Sequence, residues 1–392
     1  PGVPKDGAER VRAERSIELG VEGWHSTGLY AAPGEAITVR IPKDAATLGL
    51  RLRIGSHKDL LWHKKTWKRV PSITAVRPLD RAEVRVTTPF GGLLYVVVPR
   101  GLSPHPLSVA FEGAVEAPLF VLGKTSLDAW RSRIRSAPAP WGEVASDRMI
   151  VTVPSESLRQ LDRPDLLMET WNRVLELDAE LCGRSAASRR PMRMVCDRQI
   201  SAGYMHAGYP IMTWMDQKKN LVDRENLLSG NWGFFHEIGH NHQSRDWTFG
   251  GTGEVTCNLF SLYVFEKLCG IDLKDPRSRM SPERRKEITR DWDFEHPDFG
   301  RWKSKPFLAL VFYVEIAETF GWKPFKSAFR AYLELPKDEK PKNDREIRDL
   351  FLVMMSRAVK RNLAPEFDRW GIPVSDAARE KVEAWAPWAY GR

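Results

Sequence analysis

The sequence predicts a multi-domain α+β fold, in which an N-terminal all-β sandwich or jelly roll precedes a mainly α domain with a small β-sheet. The chain has 392 residues, which is long for a single hydrophobic core. Short β-type segments separated by turn residues dominate up to residue 122, whereas apolar residues later recur at helical spacing. We therefore expect a β-sandwich domain at residues 1–122, a linker at 123–146 and the mainly α domain at 147–392.

The β-type segments of the first domain are AITVRIP, LGLRLRIG, AEVRVTTP, LLYVVVP, LSVAFEG and APLFVLG. Turn-forming sequences such as APGE and PFGG separate them, as is typical of antiparallel sandwiches and jelly rolls. The proline-rich sequence SAPAPWG interrupts the pattern, so we expect a linker that is partly helical before Pro138.

Helical patterns follow the linker. The sequence RPDLLMETWNRVLELDAELCG repeats apolar residues at intervals of three and four and stops at Gly183. A short strand region, MRMVCDRQISAGYMHAGYPIMTW, separates it from further helices. We predict these helices at residues 231–243, 254–269, 306–320, 324–334 and 345–360.

The overall charge is basic, with a formal net charge of +9 and a pI near 9.3. A basic surface favours polyanionic partners, but the basic residues are scattered, with short clusters such as HKKTWKR, and the sequence shows no nucleic-acid recognition element. No apolar run approaches the roughly 20 residues of a membrane helix. We therefore expect a monomer with no nucleic-acid partner and no membrane span.

The four cysteines, at positions 182, 196, 257 and 269, lack the paired spacing of a cysteine zinc site. Cys257 and Cys269 would lie about 18 Å apart on one helix, which is too far for a disulfide. A disulfide between Cys182 and Cys196 stays geometrically open.

The segment NWGFFHEIGHNHQ, residues 231–243, holds three histidines and one glutamate within seven residues. His236, Glu237 and His240 form an H-E-x-x-H pattern, which on a helix places both imidazoles about 40° apart around the axis. Both imidazoles can then reach one metal ion, and Glu237 can accept a proton from an attacking water.

The alternative is a solvated helix face that carries two stray histidines. Phe235 and Ile238 argue against it because they predict a core-facing helix, where unpaired imidazoles and a carboxylate are costly. Gly239 costs about 1 kcal/mol of helix propensity, which is tolerable where another backbone or a substrate comes close. A bound cation would satisfy the buried polar groups.

The third ligand is expected downstream, in RDWTFGGTGEVTCNLFSLYVFEKLCG. Glu254 lies at the start of the next predicted helix, which Thr252 or Gly253 can cap. Two histidines and one glutamate leave a fourth zinc position open for water, as in catalytic zinc sites. We therefore predict a Zn²⁺ site formed by His236, His240 and Glu254.

Other residues near this pattern allow two interpretations. Asn258 either orients a ligating histidine or is a surface asparagine. Tyr313 either donates its phenol to a developing oxyanion or packs in the core. His242 should point away from the ligands, and Gln243 either approaches the site or ends the helix.

The motifs HEIGHNHQ and GTGEVTCNLFSLY, preceded by QISAGYMHAGYPIM, resemble the enhancin-like, or M-sixty-like, metallopeptidases, a gluzincin family that includes bacterial mucin-degrading enzymes. Upstream, STGLYAAPGEAITVRIP, LRLRIGSHKD and TPFGGLLYVVVP are similar to the β-domain that precedes the catalytic domain in that family. The resemblance covers most of residues 20–335 and implies a zincin-like catalytic domain with Glu237 as general base.

The resemblance also implies a function: a zinc-dependent endopeptidase that cleaves O-glycosylated, mucin-type proteins next to glycosylated Ser or Thr. Such a bacterial protein would be secreted, periplasmic or at the cell surface, and this sequence shows no signal peptide. The segment 207–212, with Tyr209, would be the strand beside the cleft. Trp214 and Trp247 would stack on a substrate sugar, or else are core or rim residues. The alternative function is a non-catalytic glycoprotein- or partner-binding protein of the same architecture.

Overall fold

The computed structural model describes residues 2–185 and 190–391. These residues form two compact units, the first comprising residues 2–172 and 190–225 and the second residues 173–185 and 226–391. The predicted multi-domain α+β class is confirmed, because an antiparallel β-domain precedes a small mixed sheet and a set of helices.

The described residues contain fourteen strands, which are β1 (Val11–Glu18), β2 (Gly23–Ala31), β3 (Ile37–Arg40), β4 (Arg51–Ile54), β5 (Ala75–Pro78), β6 (Glu83–Val86), β7 (Gly92–Val98), β8 (Pro106–Glu116), β9 (Leu119–Val121), β10 (Trp141–Ala145), β11 (Met149–Pro154), β12 (Met192–Asp197), β13 (Met205–His206) and β14 (Ile211–Trp214).

The first eight strands form an antiparallel sheet with the order β5-β4-β7-β2-β8-β3-β6, and β1 also pairs with β8. Their buried side chains share one hydrophobic core. Strand β8 pairs with β1, β2 and β3. It therefore connects strands β2, β7, β4 and β5 on one side of the sheet to strands β3 and β6 on the other. At Gly113 in β8 φ is +87°, and an added Cβ would lie 2.7 Å from the Ala36 carbonyl oxygen, so this bend requires glycine.

Five of the six predicted β segments are strands of this sheet, namely β3, β4, β6, β7 and β8. The sixth, APLFVLG, contains β9, which instead pairs in parallel with β10 in the second sheet. Strands β1, β2 and β5 lie outside the predicted segments.

The second sheet belongs to the same unit and has the order β13-β14-β12-β11-β10-β9. Strand β10 pairs with β9 on one side and β11 on the other, and all five of its residues are buried. It lies inside residues 123–146, together with helix α1 (Leu127–Ser132). The segment predicted as a linker is thus a packed part of the first unit, because β10 pairs with strands on both sides and its residues are buried.

A buried ion pair of the second sheet forms hydrogen bonds to residues of the first sheet within the same unit. Arg193 on β12 is fully buried and pairs with Glu143 on β10. The Arg193 guanidinium also donates to the Trp24 carbonyl oxygen at 3.1 Å, and the Tyr95 hydroxyl donates to Glu143 at 3.0 Å. Both charges have partners, which is what burial of an ion pair requires.

The remaining described helices are α2 (Pro164–Leu181), α3 (Arg224–Leu228), α4 (Trp232–His242), α5 (Gly253–Cys269), α6 (Pro282–Thr289), α7 (Phe299–Ser304), α8 (Pro306–Phe320), α9 (Lys323–Glu334), α10 (Asp344–Val359), α11 (Ala364–Arg369) and α12 (Asp376–Glu380). The five helices predicted after residue 230 are confirmed as α4, α5, α8, α9 and α10, with ends that differ by at most one residue.

Helix α5 packs against both α4 and α8 in the second unit. Residues 308–317 of α8 are all buried, so this helix passes through the core with apolar side chains on every face. None of the described helices combines the length and apolar character that crossing a membrane would need. All four cysteines are free thiols.

Candidate metal centre

Helix α4 carries the H-E-x-x-H pattern. The Asn231 side chain caps its first turn by accepting a hydrogen bond from the Phe234 backbone N–H at 3.1 Å. Phe234, Phe235 and Ile238 are fully buried and hold one face of the helix in the core. His236 and His240 are half-buried, so the other face offers both imidazoles to a shared position.

Helix α5 supplies the third group. It begins at Gly253, and Glu254 occupies its first turn. Thr252 is the residue that precedes the helix, but its hydroxyl donates to the Phe249 carbonyl oxygen at 2.8 Å and does not cap the helix. Of the two predicted caps, Thr252 or Gly253, Thr252 therefore occupies the N-cap position without a capping hydrogen bond from its side chain.

Three ligand atoms converge at the crossing of these helices. The Nε2 atoms of His236 and His240 are 3.1 Å apart, and a Glu254 carboxylate oxygen lies 3.2 Å from the first and 3.5 Å from the second. Ligands at zinc bond lengths of about 2.0–2.1 Å in tetrahedral geometry are about 3.3 Å apart. The residues present therefore fit a zinc ion, and the exposed carboxylate of Glu254 leaves one side open to solvent.

Asn258 sets the orientation of His236. Its side-chain amide donates to the Glu254 carbonyl oxygen at 2.7 Å, so its oxygen faces His236 Nδ1, at 2.6 Å. Nδ1 must therefore carry the proton and donate it, which leaves the Nε2 lone pair for a cation. Asn258 is 2% exposed, which rules out a surface asparagine.

The surroundings of His240 favour its neutral, ligating form. Burial lowers the pKa of His240, a charge on neighbouring His236 lowers it further, and the carboxylate of Glu254 opposes both effects. His240 is therefore neutral at neutral pH, as a metal ligand must be. Glu237 is buried beside this cluster, on the same helix turn as His236.

Cys257 is a neighbour of this centre that sequence reasoning missed. Its sulfur lies 3.5 Å from His236 Nδ1, within the same group of ligand-capable atoms as the two histidines and Glu254. Burial raises the pKa of the Cys257 thiol, and the carboxylates of Glu254 and Glu237 raise it further, so the thiol is neutral. Cys257 follows Glu254 by three residues on one helix, and this spacing could have predicted that the two side chains are neighbours.

Gly239 is the contact point of the two helices. A Cβ added there would lie 2.4 Å from the Cys257 carbonyl oxygen, far inside van der Waals contact. The sequence left open whether a backbone or a substrate approaches this glycine, and the structure places the α5 backbone there. Glycine at this position is what lets α4 and α5 approach closely enough for Glu254 to join the two histidines.

Other residues of the predicted site lie elsewhere in the second unit. His242 points away from the cluster, as predicted, with Nδ1 3.0 Å from the Ile238 carbonyl oxygen. Tyr313 is fully buried among aromatic rings, and its hydroxyl has no hydrogen-bond partner in the described part of the chain. Trp247 is 2% exposed and stacks on Phe329 at 4.1 Å. Tyr313 and Trp247 thus match the core alternative, because neither presents a surface to a substrate.

The predicted strand at 207–212 differs in the structure. Residues 207–210 connect β13 to β14 in an antiparallel hairpin, and only Ile211 and Met212 belong to a strand. The Tyr209 hydroxyl accepts a hydrogen bond from the backbone N–H of Trp24 at 3.3 Å. The indole of Trp214 donates to the Gly203 carbonyl oxygen at 3.1 Å. Both residues belong to the first unit.

The chain is similar to known proteins over most of its length. Residues 113–371 match the family described as peptidase M60, enhancin and enhancin-like, and residues 6–112 match the N-terminal domain of M60-like peptidases. The chain is 38% identical over 383 residues to TRPM8 channel-associated factor 2 of Bos taurus, covering 96% of this chain and 42% of that protein. It therefore spans less than half the length of this relative.

Two solved structures share the fold. A functionally unknown conserved protein from Bacillus anthracis superposes with a TM-score of 0.76 at 23% identity, covering 96% of this chain and 80% of that one. IMPa from Pseudomonas aeruginosa, in complex with an O-glycopeptide, superposes with a TM-score of 0.68 at 18% identity, covering 97% and 52%. With the family match over most of its length, the chain belongs to the peptidase M60 family of enhancin and enhancin-like metallopeptidases.

Proposed function

We propose that this chain is a zinc-dependent endopeptidase that cleaves mucin-type O-glycosylated proteins next to glycosylated Ser or Thr. The observation that carries the proposal is the triangle of His236 Nε2, His240 Nε2 and the Glu254 carboxylate, whose sides of 3.1, 3.2 and 3.5 Å suit one tetrahedral zinc ion. Two nitrogen lone pairs this close repel each other unless a metal ion or a proton lies between them.

Each protein group has a distinct role in peptide hydrolysis. Bound zinc supplies a Lewis acid that polarises the scissile carbonyl and lowers the pKa of water. Glu237 accepts the proton of the attacking water and delivers it to the leaving amine. Asn258 holds the tautomer and the ring orientation of His236, and Glu254 adds a negative charge that helps retain the cation.

The substrate class rests on two supports. A solved structure of IMPa, which shares the fold, is a complex with an O-glycopeptide. The formal charge of +9 on this chain also favours anionic glycoproteins, because opposite charge accelerates encounter. Mucin-type glycoproteins are extracellular, so we place the action of this protein at the cell surface, in the periplasm or in the surrounding medium.

The test is product analysis by mass spectrometry after incubation with a mucin-type O-glycoprotein, with Glu237→Gln as matched control. Zinc content is measured on both proteins. We expect fragments that begin at glycosylated Ser or Thr from the native chain, none from the variant, and equimolar zinc in both. Cleavage by Glu237→Gln at the native rate would refute the role of Glu237, and a native chain without zinc would refute the metal site.

A second candidate is a non-catalytic partner-binding protein. The observation in its favour is the 38% identity to a relative named as a channel-associated factor. Intact substrate in both samples, with zinc bound in both, would favour this candidate over the peptidase.

A further inference from the structure

Exposed apolar side chains of the described residues are concentrated in one short loop of the first unit. Nine large hydrophobic residues are exposed in the described part of the chain, and four of them, Leu60, Trp62, Trp67 and Val70, lie within eleven residues. Their exposed fractions are 55, 63, 53 and 48%. Such clustering is unusual on a protein surface and marks an interaction site.

The same loop carries only positive charges. Residues 60–70, LLWHKKTWKRV, include Lys64, Lys65, Lys68 and Arg69 and no acidic residue. Arg69 is turned inward and pairs with buried Asp197 at 2.7 Å. The three lysines make no ion pair among the described residues, and Lys68 lies over the Trp214 ring at 4.7 Å. We call Leu60, Trp62, Trp67, Val70, Lys65 and Lys68 the tryptophan–lysine surface.

Hydrogen bonds to buried residues of the same unit hold the loop in place. Arg69 donates to both oxygens of Asp197 and to the Asp59 carbonyl oxygen. The Gln199 side chain accepts from the Lys68 backbone N–H at 2.7 Å and donates to the Thr66 carbonyl oxygen at 2.9 Å. Because its backbone is already ordered, this loop can present apolar side chains to a partner at little further entropic cost.

The tryptophans are also fixed. The Trp67 indole donates to the Leu61 carbonyl oxygen at 3.0 Å, and Trp62 packs edge-on against Trp67 with ring centroids 5.6 Å apart. Leu61 itself is fully buried and anchors the loop. Contacts within the loop thus hold both exposed rings in place.

We propose that the tryptophan–lysine surface docks this protein on an anionic phospholipid membrane. Tryptophan prefers the membrane–water interface, aliphatic side chains enter the acyl boundary, and lysines pair with anionic headgroups. Sugars fit this surface less well. They stack on an open ring face beside polar side chains that bind hydroxyls, whereas the apolar side chains here include Leu60 and Val70, and the loop has no carboxylate or carboxamide.

The test is flotation of the purified chain with vesicles of phosphatidylcholine alone and of phosphatidylcholine mixed with phosphatidylserine. We expect binding to the anionic vesicles that weakens with salt. The pair Trp62→Ala and Trp67→Ala should lower affinity more than about tenfold, and each lysine changed to Gln should lower it about fivefold. The pair Leu333→Ala and Lys337→Gln, on exposed residues of α9 and beyond, is the matched control and should change nothing.

Circular dichroism of each variant separates lost binding from lost folding. Absence of vesicle binding by the native chain overturns the proposal, as does binding that survives both sets of loop variants. Retention on a sulfated polysaccharide without vesicle binding would assign the surface to glycans instead. The experiment is independent of peptidase activity, because Glu237→Gln should bind vesicles like the native chain.

Discussion

The side-chain oxygen of Asn258 lies 2.6 Å from Nδ1 of His236, while the amide of the same side chain donates to the backbone of Glu254. One buried residue thus joins two of the three groups that converge at the candidate metal centre. Removing it should disturb the centre without removing any ligand.

We expect Asn258→Ala to lower zinc affinity by about 10- to 100-fold, because His236 loses the partner that selects its tautomer. Competition with a chromogenic chelator measures this affinity. Asn258→Asp keeps an acceptor for the Nδ1 proton of His236, so this variant should retain most of the zinc affinity. Equal affinity of the alanine variant and the native chain would show that Asn258 does not position His236.

We expect Gly239→Ala to force α4 and α5 apart, because the new Cβ would lie 2.4 Å from the Cys257 carbonyl oxygen. The variant should lose about 1–3 kcal/mol of folding stability and bind zinc substoichiometrically. Gly253→Ala is the matched control, since a Cβ there meets no atom within 4 Å. Thermal unfolding and zinc analysis decide the point, and a Gly239→Ala protein with native zinc content would contradict the expectation.

We expect Tyr313→Phe to leave turnover unchanged and stability equal or higher, because the Tyr313 hydroxyl is fully buried and has no hydrogen-bond partner among the described residues. An oxyanion donor would behave differently, since its loss typically lowers kcat by about 10²- to 10³-fold. Steady-state kinetics on an O-glycopeptide distinguish the two. A drop of that size would restore the catalytic interpretation of Tyr313.

We expect Glu143→Leu to lower the free energy of unfolding by about 3–5 kcal/mol, because Arg193 would keep a buried charge without its partner. Glu83→Gln, which removes an exposed ion pair with Arg40, should lower it far less, because water screens that pair. Urea denaturation of both variants provides the comparison. If both variants lost a similar free energy of unfolding, burial would not increase the contribution of the Arg193–Glu143 pair to stability.

We expect His206 to titrate above its usual range. Its Nε2 donates to Asp59 at 2.7 Å and its Nδ1 to the Ala207 carbonyl oxygen, and the hydrogen bond to Asp59 raises the pKa of His206 although burial opposes it. Because the pKa of His206 is higher in the folded chain than in the unfolded chain, where it is about 6.5, the protonated ring stabilises the fold. This stabilisation is complete below the pKa of the unfolded chain and is lost as the pH rises through the pKa of the folded chain.

NMR titration of the His206 ring should therefore give a pKa above that of the unfolded chain. The stability difference between the native chain and His206→Gln should shrink as pH rises above neutrality. Asp59→Asn should bring the pKa of His206 down, and a value unchanged by this substitution would contradict the role of Asp59.

Local patterns in the sequence determined much of this molecule. The helical spacing around His236 and His240 predicted α4, and a glycine turn followed by Glu254 predicted the start of α5, because both signals depend only on neighbours along the chain. The resemblance of the same motifs identified the family before any tertiary contact was known. Short strands separated by turns predicted the antiparallel domain for the same reason.

Only the tertiary structure decided which residues meet. The approach of Cys257 to His236, the burial of Tyr313 and Trp247, and the pairing of β10 inside a supposed linker depend on contacts between distant segments. A helix pattern shows that a residue lies on a buried face, but not which neighbour covers that face. The sequence therefore determined the candidate ligands and their helices, and packing at Gly239 decided how closely those helices approach.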